Sequence, residues 1–438
     1  MRNIYFLLNL LLLFFIYNKH SLVYTKEALA ELWDIEDSEL LYFFAIEKRL
    51  ITIDQILQPL IKEHILSFGG TYINVTKKQV FVNTVDPSII PIIKNSPELM
   101  HTDYLNFITF VNANNSIVTL ADRFLKIFNL IKQFKPKSIQ CYIDMELNNI
   151  VIRHSQTINN NEFLNSVREY NPIFIQPSVN FPHPRCKEGI NQLPILRRDI
   201  NLKILGGEGL MNLLKREECS VGFWARDNNN ENLNYIVTAG HCSIKRSRLA
   251  GTENFAHMSW NSPQLHRLGK MVDSDKIDRY DFGLINITDS TYLRSMKTLI
   301  SNTDSKRFAE LIMKDGIEVT SYGSHVCKSG WRSHVTCGYI KGLGTITTDS
   351  KGRAFKDRIY YSKSAFQISC AGDSGGSVYS YLQDLETVGL SGIHLGRFGD
   401  FSEFLPLNLI LSKGMINYLS VGHYINTEEK TSIYGRTL

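Results

Sequence analysis

Two spacings of apolar residues divide the chain into an N-terminal part with helices and a C-terminal part of short strands. Over residues 26–50, apolar and charged residues mix with the period of a helix. The side chains expected to form its buried stripe are Leu29, Leu32, Trp33, Leu40, Leu41 and Phe44. A second helix is predicted over residues 53–68, where Gly69 and Gly70 end it.

The remainder of the N-terminal part predicts two hairpins and one more helix. Residues 71–75 and 79–83 alternate in polarity around a polar turn, which indicates a β-hairpin. A further helix is predicted over residues 120–134, and a second hairpin over residues 138–153 with two asparagines, Asn148 and Asn149, at its tip. This α+β unit carries no constellation of catalytic residues, which favours an interaction or folding module.

Residues 171–203 have a different character from the segments on either side. Prolines break any regular element there, at positions Pro172, Pro177, Pro182, Pro184 and Pro194. Arg197 and Arg198 form a dibasic site, so the segment is typical of a linker open to proteolysis. Beyond Lys203, short apolar runs separated by polar turns predict an all-β region.

Composition and the first residues bear on where the protein acts. The chain of 438 residues is long enough for two or three domains, and its net charge of +5 is too small and dispersed for a nucleic-acid footprint. A cation followed by an apolar run predicts a signal peptide over residues 1–21, the alternative being an uncleaved membrane anchor. No later apolar run is long enough to span a bilayer. We therefore expect a secreted, extracellular protein that leaves the membrane when the signal is removed.

Glycosylation sequons and cysteines agree with an oxidising compartment. The sequons begin at Asn74, Asn114 and Asn286, and they matter only in a host that glycosylates secreted proteins. The seven cysteines are Cys141, Cys186, Cys219, Cys242, Cys327, Cys337 and Cys370. Most should pair outside the cell, and the odd number leaves at least one unpaired or intermolecular.

The stretch at residues 370–377 places Ser374 between glycines, directly after an acid. A serine hydroxyl is a weak nucleophile, so such a residue needs a base and a braced turn. Gly372 permits a backbone conformation that a side chain would obstruct, and Gly375 and Gly376 would leave room for substrate. The amides of Gly372 and Ser374 could then point at one position where a carbonyl oxygen gains negative charge. Alone, the run fits a simple turn equally well.

A histidine and an aspartate complete the candidate chemistry. His241 follows an apolar strand and stands beside a cysteine, a place where a lone histidine is more often structural than catalytic. Asp281 lies at the mouth of an apolar run, where a partly buried acid needs a partner such as an imidazole N–H. The chain order His241, Asp281, Ser374 is one of the three known orders of a catalytic triad.

Residues 238–242, 281–284 and 372–376 together resemble the three signatures of chymotrypsin-fold serine proteases. The likeness extends from about Ile204 nearly to the C terminus. It implies a serine endopeptidase that hydrolyses polypeptides through an acyl-enzyme, as a monomer, with neither metal nor cofactor. The competing class is a secreted protease homologue that binds without cutting, whose usual mark is a missing triad residue.

Finer features resemble α-lytic protease and the streptogrisins. These are residues 219–223, 326–330 and 336–338 with Ser377, while residues 69–74 with 80–82 resemble the pro-region hairpin of that group. Such proteases are pre-pro-enzymes whose pro-region assists folding and then inhibits. The implied layout is a signal peptide over 1–21, an α+β pro-region over 22–198 with a linker from about 171, and a double β-barrel protease domain over 199–438 with barrels at about 199–315 and 316–438.

The triad chemistry requires Asp373 to turn inward, and a buried carboxylate needs a cation. By resemblance to trypsin-like enzymes, a cut after Lys203 would free the Ile204 amine for this role. By resemblance to the α-lytic group, the cation is a side chain at the place of Lys328. The surrounding residues favour Lys328, although lysine lacks the fork of the group's arginine. The mature N terminus, after Arg198 or after Lys203, stays open.

The resemblance also implies disulfides and a substrate pocket. It pairs Cys219 with Cys242 and Cys327 with Cys337, whereas Cys370 is either free or bonded to Cys186 because no cysteine follows it. A zinc site made of His325, Cys327 and Cys337 lacks the usual ligand spacing. The expected pocket residues are Ile368, Gly392, Ile393 and His394. Ile368 argues against a preference for Lys or Arg; His394 would suit an acidic side chain, and an apolar preference is the simpler expectation.

Overall fold

The computed structural model describes residues 26–100, 102–177, 186, 195–196, 203–243, 253–260, 262–272, 280–289, 292–293, 296–364, 366–382 and 384–420. The predicted signal peptide and the dibasic site Arg197–Arg198 lie outside these residues. None of the helices in the described part is long and apolar enough to cross a membrane.

The N-terminal helices begin and end at other residues than the apolar spacing predicts. Helix α1 spans Ala28–Trp33, and Asp34 ends it in the left-handed conformation. Helix α2 then runs without interruption over Leu40–Glu63, across the break expected near residue 51. The predicted stripe is buried except for Leu41, whose side chain is 55% exposed. Leu41 points outward because the helix that carries it begins only at residue 40.

The rest of the N-terminal unit confirms both hairpins and adds short elements. Strands β1 (Phe68–Asn74) and β2 (Gln79–Thr84) form the first hairpin, and β4 (Ile139–Asp144) and β5 (Asn149–His154) form the second. The predicted third helix is α5. The remaining elements are α3 (Ile90–Lys94), α4 (Pro97–Met100), β3 (Ile108–Asn112), α5 (Ile117–Phe134), α6 (Asn161–Val167) and β6 (Ile173–Ile175).

The C-terminal region is built from strands, as predicted, and its first sheet carries the histidine and the aspartate. The sheet order is β23-β10-β11-β14-β13-β12-β8-β9, with β7 beside β13. The strands are β7 (Ile195–Leu196), β8 (Gly209–Asn212), β9 (Glu217–Ser220), β10 (Phe223–Asp227), β11 (Asn234–Ala239), β12 (Asn254–Ser259), β13 (Ser262–Val272), β14 (Phe282–Ile287) and β23 (Ile416–Tyr418).

The second sheet closes into a barrel, because β21-β20-β17-β18-β19-β22 pair in sequence and β22 pairs with β21 again. Its elements are β15 (Leu299–Ser301), β16 (Glu310–Gly316), β17 (His325–Gly330), β18 (His334–Thr348), β19 (Ala354–Ser362), β20 (Ser377–Tyr381), β21 (Thr387–Phe398), β22 (Phe401–Pro406) and the helix α7 (Leu407–Gly414). Strands β15 and β16 pair within this sheet and β23 pairs within the first, so strands cross the predicted division near residue 315 in both directions. The domain limits themselves stay a prediction.

The N-terminal unit continues the second sheet. Strand β4 pairs antiparallel with β18 through Cys141 opposite Ile346 and Gln140 opposite Thr347. Side chains of α1 and α2, such as Trp33 and Leu50, share one apolar core with residues of the barrel such as Tyr379. Burial of such surface is the main favourable contribution to association of two regions. The unit is therefore packed against the second barrel.

Candidate active site

The loop before β20 holds Ser374 in a turn that requires glycine at two positions. Gly372 has φ +101° and Gly375 has φ +88°, in the region that residues with side chains rarely adopt. A Cβ on Gly375 would lie 2.0 Å from Thr238 Oγ1, and one on Gly376 would lie 2.2 Å from the Ser329 carbonyl oxygen. The expectation that Gly375 and Gly376 leave room for substrate is therefore corrected. Their missing side chains let the loop pack closely between the two sheets.

Ser220, at the end of β9, holds the same loop from the first sheet. Its amide donates to the Ser374 carbonyl at 2.7 Å, and its hydroxyl donates to the Gly372 carbonyl at 2.8 Å. With these carbonyls held, the amides of Gly372 and Ser374 have no hydrogen-bond acceptor among the described residues. Two such unused donors in one turn are what an oxyanion site requires.

His241 and Asp281 are brought together at the ends of neighbouring strands. Asp281 Oδ1 and Oδ2 lie 3.1 and 3.2 Å from His241 Nδ1, and Oδ1 also accepts the His241 amide at 2.8 Å. Asp281 has φ +67°, and its carbonyl accepts the Gly240 amide at 3.0 Å. The carboxylate thus fixes both the backbone and the ring of His241, and Nδ1 is the nitrogen that carries the proton.

The hydroxyl of Ser374 is bonded to the second barrel. Its Oγ donates to the Leu395 carbonyl at 3.2 Å, and no hydrogen bond joins it to His241 in the described part of the chain. The adjoining amide of Gly375 donates to the His394 carbonyl at 2.7 Å, and the His394 amide donates to the Gly376 carbonyl at 2.8 Å. The loop that carries Ser374 is thereby attached to strand β21 at His394 and Leu395.

Asp373 is fully buried beside Lys328, whose Nζ lies 3.0 Å from its Oδ2. The amides of Arg332 and Ser333 donate to its Oδ1 at 2.8 and 3.0 Å, and the Cys370 amide donates to Oδ2 at 2.7 Å. Burial alone raises the pKa of Asp373, but the Lys328 charge and these hydrogen bonds outweigh it and lower the pKa to about 2. The carboxylate is therefore ionised at neutral pH.

Ile204, the other candidate, packs in the apolar core that the two sheets share. It is buried in the core there, and its carbonyl accepts the Trp224 indole N–H at 3.1 Å. The structure thus brings Lys328, and not the Ile204 amide, to the Asp373 carboxylate in this uncleaved chain.

Comparison with protein families identifies the catalytic region. Residues 230–398 match the family model described as Trypsin, and this span contains His241, Asp281 and Ser374. The chain is a serine-type endopeptidase. Its C-terminal region has the chymotrypsin-like fold, preceded by an α+β region.

Solved protease structures align with about half of the endopeptidase. Thermobifida fusca protease A is 20% identical and covers 50% of this chain and 100% of its own, with a TM-score of 0.37. Nocardiopsis protease is 19% identical, with the same coverage and a TM-score of 0.38. Cellulomonas bogoriensis chymotrypsin is 21% identical, again with that coverage, and its TM-score is 0.37. No curated protein matches the chain.

The four residues of the endopeptidase that were expected to line the substrate pocket differ from one another in their surroundings. Ile393 is fully buried in the apolar core that the two sheets share, and a Cβ on Gly392 would lie 2.0 Å from the Leu405 carbonyl oxygen. Ile368 is buried in the core of the second barrel. Of the four, His394 is the one directly bonded to the nucleophile loop. The Ser374 hydroxyl is bonded to Leu395, the residue after His394, and the assignment of the substrate pocket stays a prediction.

His394 is buried and neutral. Its Nδ1 lies 2.9 Å from the Tyr361 hydroxyl. Burial, followed by the positive charge of Lys328, lowers the pKa of His394 to about 3. The ring therefore brings no charge to the neighbourhood of Ser374 at neutral pH.

Three disulfides brace the endopeptidase. The described pairs are Cys219–Cys242, Cys327–Cys337 and Cys186–Cys370. The third resolves the alternatives for Cys370 and joins the predicted linker to the nucleophile loop. Cys141 is free and buried, and burial raises the pKa of its thiol.

The three residues considered for a zinc site have other partners, and the sequons differ in exposure. Cys327 and Cys337 are bonded to one another, and His325 Nδ1 contacts Glu47. Asn114 is exposed, whereas Asn74 and Asn286 are half-buried. Glycosylation at these positions stays a prediction.

Arg358 is a site residue that sequence reasoning missed. Its Nη2 lies 3.5 Å from Asp281 Oδ2, and its Nη1 pairs with Glu403. It is only 3% exposed, so its charge is little screened by water. The residue lies in β19, which has no motif of its own, and only the pairing of β19 with β22 reveals it.

Proposed function

We propose that the endopeptidase is a secreted pre-pro-enzyme that cleaves peptide bonds through a triad of His241, Asp281 and Ser374. The observation that carries the proposal is the bidentate contact of Asp281 with His241 Nδ1, at 3.1 and 3.2 Å. It leaves Nε2 of the ring available as a base. The non-catalytic homologue is disfavoured because each group required for acyl transfer is present.

Acylation begins when the Ser374 hydroxyl rotates from the Leu395 carbonyl to His241 Nε2. The imidazole takes the hydroxyl proton while Oγ bonds to the scissile carbonyl carbon, whose oxygen becomes negative. The amides of Gly372 and Ser374 donate to this oxyanion. The imidazolium then gives its proton to the leaving amine as the C–N bond breaks, which leaves an acyl-enzyme.

Deacylation repeats these steps with water as the nucleophile. His241 removes a proton from water, the hydroxide oxygen bonds to the acyl carbon, and the proton returns to Ser374 Oγ as the ester bond breaks. Asp281 stabilises the imidazolium in both halves without taking its proton. Arg358, at 3.5 Å from Asp281 Oδ2, is a positioning residue that holds the carboxylate in place.

Asp373 and Lys328 would set the shape of the oxyanion loop. Their ion pair lies directly beside the two donor amides, and the Asp373 carboxylate accepts the Cys370 amide at the start of the loop. This arrangement needs no new N terminus. The closeness of Lys328 thus supports a likeness to the α-lytic and streptogrisin group over trypsin-like activation.

The N-terminal unit would act as the pro-region, assisting folding and then inhibiting. Support comes from the pairing of β4 with β18 and from the shared apolar core, which present a ready template to the second barrel. Secretion is supported by the apolar N-terminal run and by three disulfides, which persist in oxidising compartments. Removal of the unit would follow a cut near Arg198 or Lys203.

A fluorophosphonate probe tests the proposal because an activated serine displaces its fluoride and becomes phosphonylated, whereas an ordinary serine does not react. We expect one adduct, on Ser374, in the mature protein, and Ser374→Ala should lose both labelling and about 10⁶-fold of kcat. Ser364→Ala, which removes an exposed hydroxyl elsewhere in the region, is the matched control and should label normally. A mature protein that folds but does not label would favour the binding homologue instead.

A further inference from the structure

The carboxylates around Ser374 each have a cation or N–H group as partner. Asp373 contacts Lys328, Asp281 contacts His241 and Arg358, Glu403 contacts Arg358, and Glu218 contacts Arg332. Arg397 differs from these arginines, since it is exposed and has no ion pair among the described residues. An arginine with five unused donors beside a nucleophile is available to a ligand.

The backbone places Arg397 close to Ser374 along β21. Leu395 accepts the Ser374 hydroxyl at 3.2 Å, and Arg397 follows two residues later in β21. One edge of this segment pairs with β22, through Arg397 opposite Ser402. A Cβ built on the intervening Gly396 meets no atom within 4 Å, so the strand borders open space at this residue.

The electrostatics of the neighbouring groups agree with this placement. Although the Arg397 side chain reaches solvent, partial burial lowers its pKa, and Asp373 is the charge that acts against the shift. Arg397 in turn contributes to the lowered pKa of His394. The guanidinium charge therefore acts on Asp373, which precedes Ser374, and on His394, which is bonded to the loop from β21.

We propose that Arg397 makes this endopeptidase selective for substrates with a carboxylate side chain, Asp or Glu, at the residue that contributes the scissile carbonyl. The inference rests on the proposed function of Ser374. A guanidinium offers two parallel N–H donors that match a carboxylate. Two of the side chains expected to supply an apolar pocket, Ile368 and Ile393, are buried in apolar cores. The acid preference thus comes from Arg397 and not from the neutral His394.

The test uses the mature enzyme and a library of peptide substrates that differ only at the acyl-side residue. We expect kcat/KM for Glu or Asp to exceed that for Ala or Leu. In Arg397→Ala this ratio should fall roughly 10- to 100-fold, the range for loss of a hydrogen bond to a charged group. Arg397→Glu should shift the preference to Lys or Arg, and Arg397→Lys should keep part of the acid preference. Arg267→Ala, which removes an exposed arginine of β13, is the matched control and should keep the parental ratio.

Fluorophosphonate labelling of the same preparations separates this inference from the proposed function. Labelling of Ser374 with no preference for acids, or with a preference that survives in Arg397→Ala, overturns the role of Arg397 and leaves the protease intact. A folded parent that does not label overturns both. Labelling together with an acid preference that Arg397→Glu reverses supports the inference.

Discussion

The N-terminal unit and the catalytic region bury charged groups in opposite ways. In the catalytic region, buried Asp373 finds its cation, Lys328, within the same barrel at 3.0 Å. In the N-terminal unit, Glu47 is fully buried and Asp54 is 2% exposed, yet partners of both come from the other region. The His325 amide donates to Glu47 Oε1 at 2.8 Å, and the Ser321 hydroxyl donates to Asp54 Oδ2 at 2.6 Å.

This difference tells the roles of the two regions apart. A buried carboxylate without partners is costly, so the face of the N-terminal unit is complete only when it is packed on β17 and the turn before it. The ion pairs around Ser374 need nothing from the unit. The arrangement fits a removable pro-region, since its departure leaves the catalytic groups and their partners together.

The disulfide Cys186–Cys370 is a covalent link between the linker after the N-terminal unit and the catalytic region. Among the changes considered, its removal should lower the free energy of unfolding the most. The bond crosses a sequence separation of 184 residues, which corresponds to about 5 kcal/mol of stability in the chain-entropy model for the uncut chain. Cys186→Ser should lower the free energy of unfolding accordingly, measured by urea titration. A cut after Arg198 falls between the two cysteines, so the N-terminal fragment should stay attached until reduced.

Electrophoresis of the processed protein with and without reductant checks the attachment. We expect one band without reductant and two with it, and two bands in either condition for Cys186→Ser. Cys141→Ala, which alters the free buried cysteine, is the control and should behave as the parent does. Separation of the parental fragments without reductant contradicts the link.

Substitution of Asp373 tests the claim that buried charges of the catalytic region are paired within that region. Asp373→Ala leaves the Lys328 ammonium buried and unpaired, which should cost about 3–5 kcal/mol and abolish labelling of Ser374. Adding Lys328→Met should restore much of the stability but not the labelling. If the single and double variants are equally unstable by urea titration, the ion pair is not the cause.

The same pair gives a pH dependence with a defined sign. The folded pKa of Asp373, about 2, lies below the ordinary value of about 3.9. Its contribution to stability is therefore present above about pH 4 and is lost as the pH falls toward 2. Acid unfolding of the parent over this window should be steeper than that of Lys328→Met/Asp373→Asn.

Residues with local signatures could be predicted from the sequence, and residues defined by packing could not. Ser374, His241 and Asp281 stand in short motifs whose strands and turns are encoded by neighbouring residues. The positive φ of Gly372 follows from the same local rules. By contrast, Gly375 must lack a side chain because Thr238 from the other sheet lies where a Cβ would be, and no local pattern reveals this contact.

Long-range partners account for the other differences. From the sequence, Glu47 is indistinguishable from the other charged residues of an amphipathic helix. Its partner, His325, lies 278 residues further along the chain, so no local pattern predicts the contact. Arg358 lies on a strand whose pairing with β22 depends on closure of the barrel. The register of β21 beside Ser374 is set by the hydrogen bonds that join Gly375 and Gly376 to His394, and the sequence of β21 alone does not reveal these contacts.

Glu47 offers a sharper test of the contrast between the regions. The Tyr381 amide donates to His325 Nε2 at 3.2 Å, so Nδ1 carries the proton that is donated to Glu47. Glu47→Gln should lower the free energy of unfolding by about 2 kcal/mol, as for a hydrogen bond to a charged group. A double-mutant cycle with His325→Phe should show coupling of similar size.

The matched control is Glu31→Gln at the same interface. Glu31 pairs with Lys363 at 2.8 Å, but its side chain is 39% exposed, so the loss should be under about 1 kcal/mol. Equal losses of unfolding free energy for Glu47→Gln and Glu31→Gln would show that burial of the Glu47 carboxylate does not determine the size of its contribution.

Asp54 should give the smallest effect, visible mainly as a change in pH dependence. Burial raises the pKa of Asp54, although hydrogen bonds from Ser321, Thr71 and Gln58 act against it. Because the folded pKa is above the unfolded one, packing is most favourable below about pH 4 and weakens as the pH rises through the raised pKa.

Asp54→Asn removes this titration, so the stability of the variant relative to the parent should increase from pH 4 to pH 8. The expected increase is on the order of one hydrogen bond, about 1 kcal/mol. Urea midpoints at several pH values measure the difference, with exposed Asp357→Asn as a control that should run parallel to the parent. If the stability of Asp54→Asn relative to the parent stays constant or falls as the pH rises, the buried Asp54 carboxylate is ionised without cost, as that of Asp373 is. The two regions would then not differ in how they bury a carboxylate.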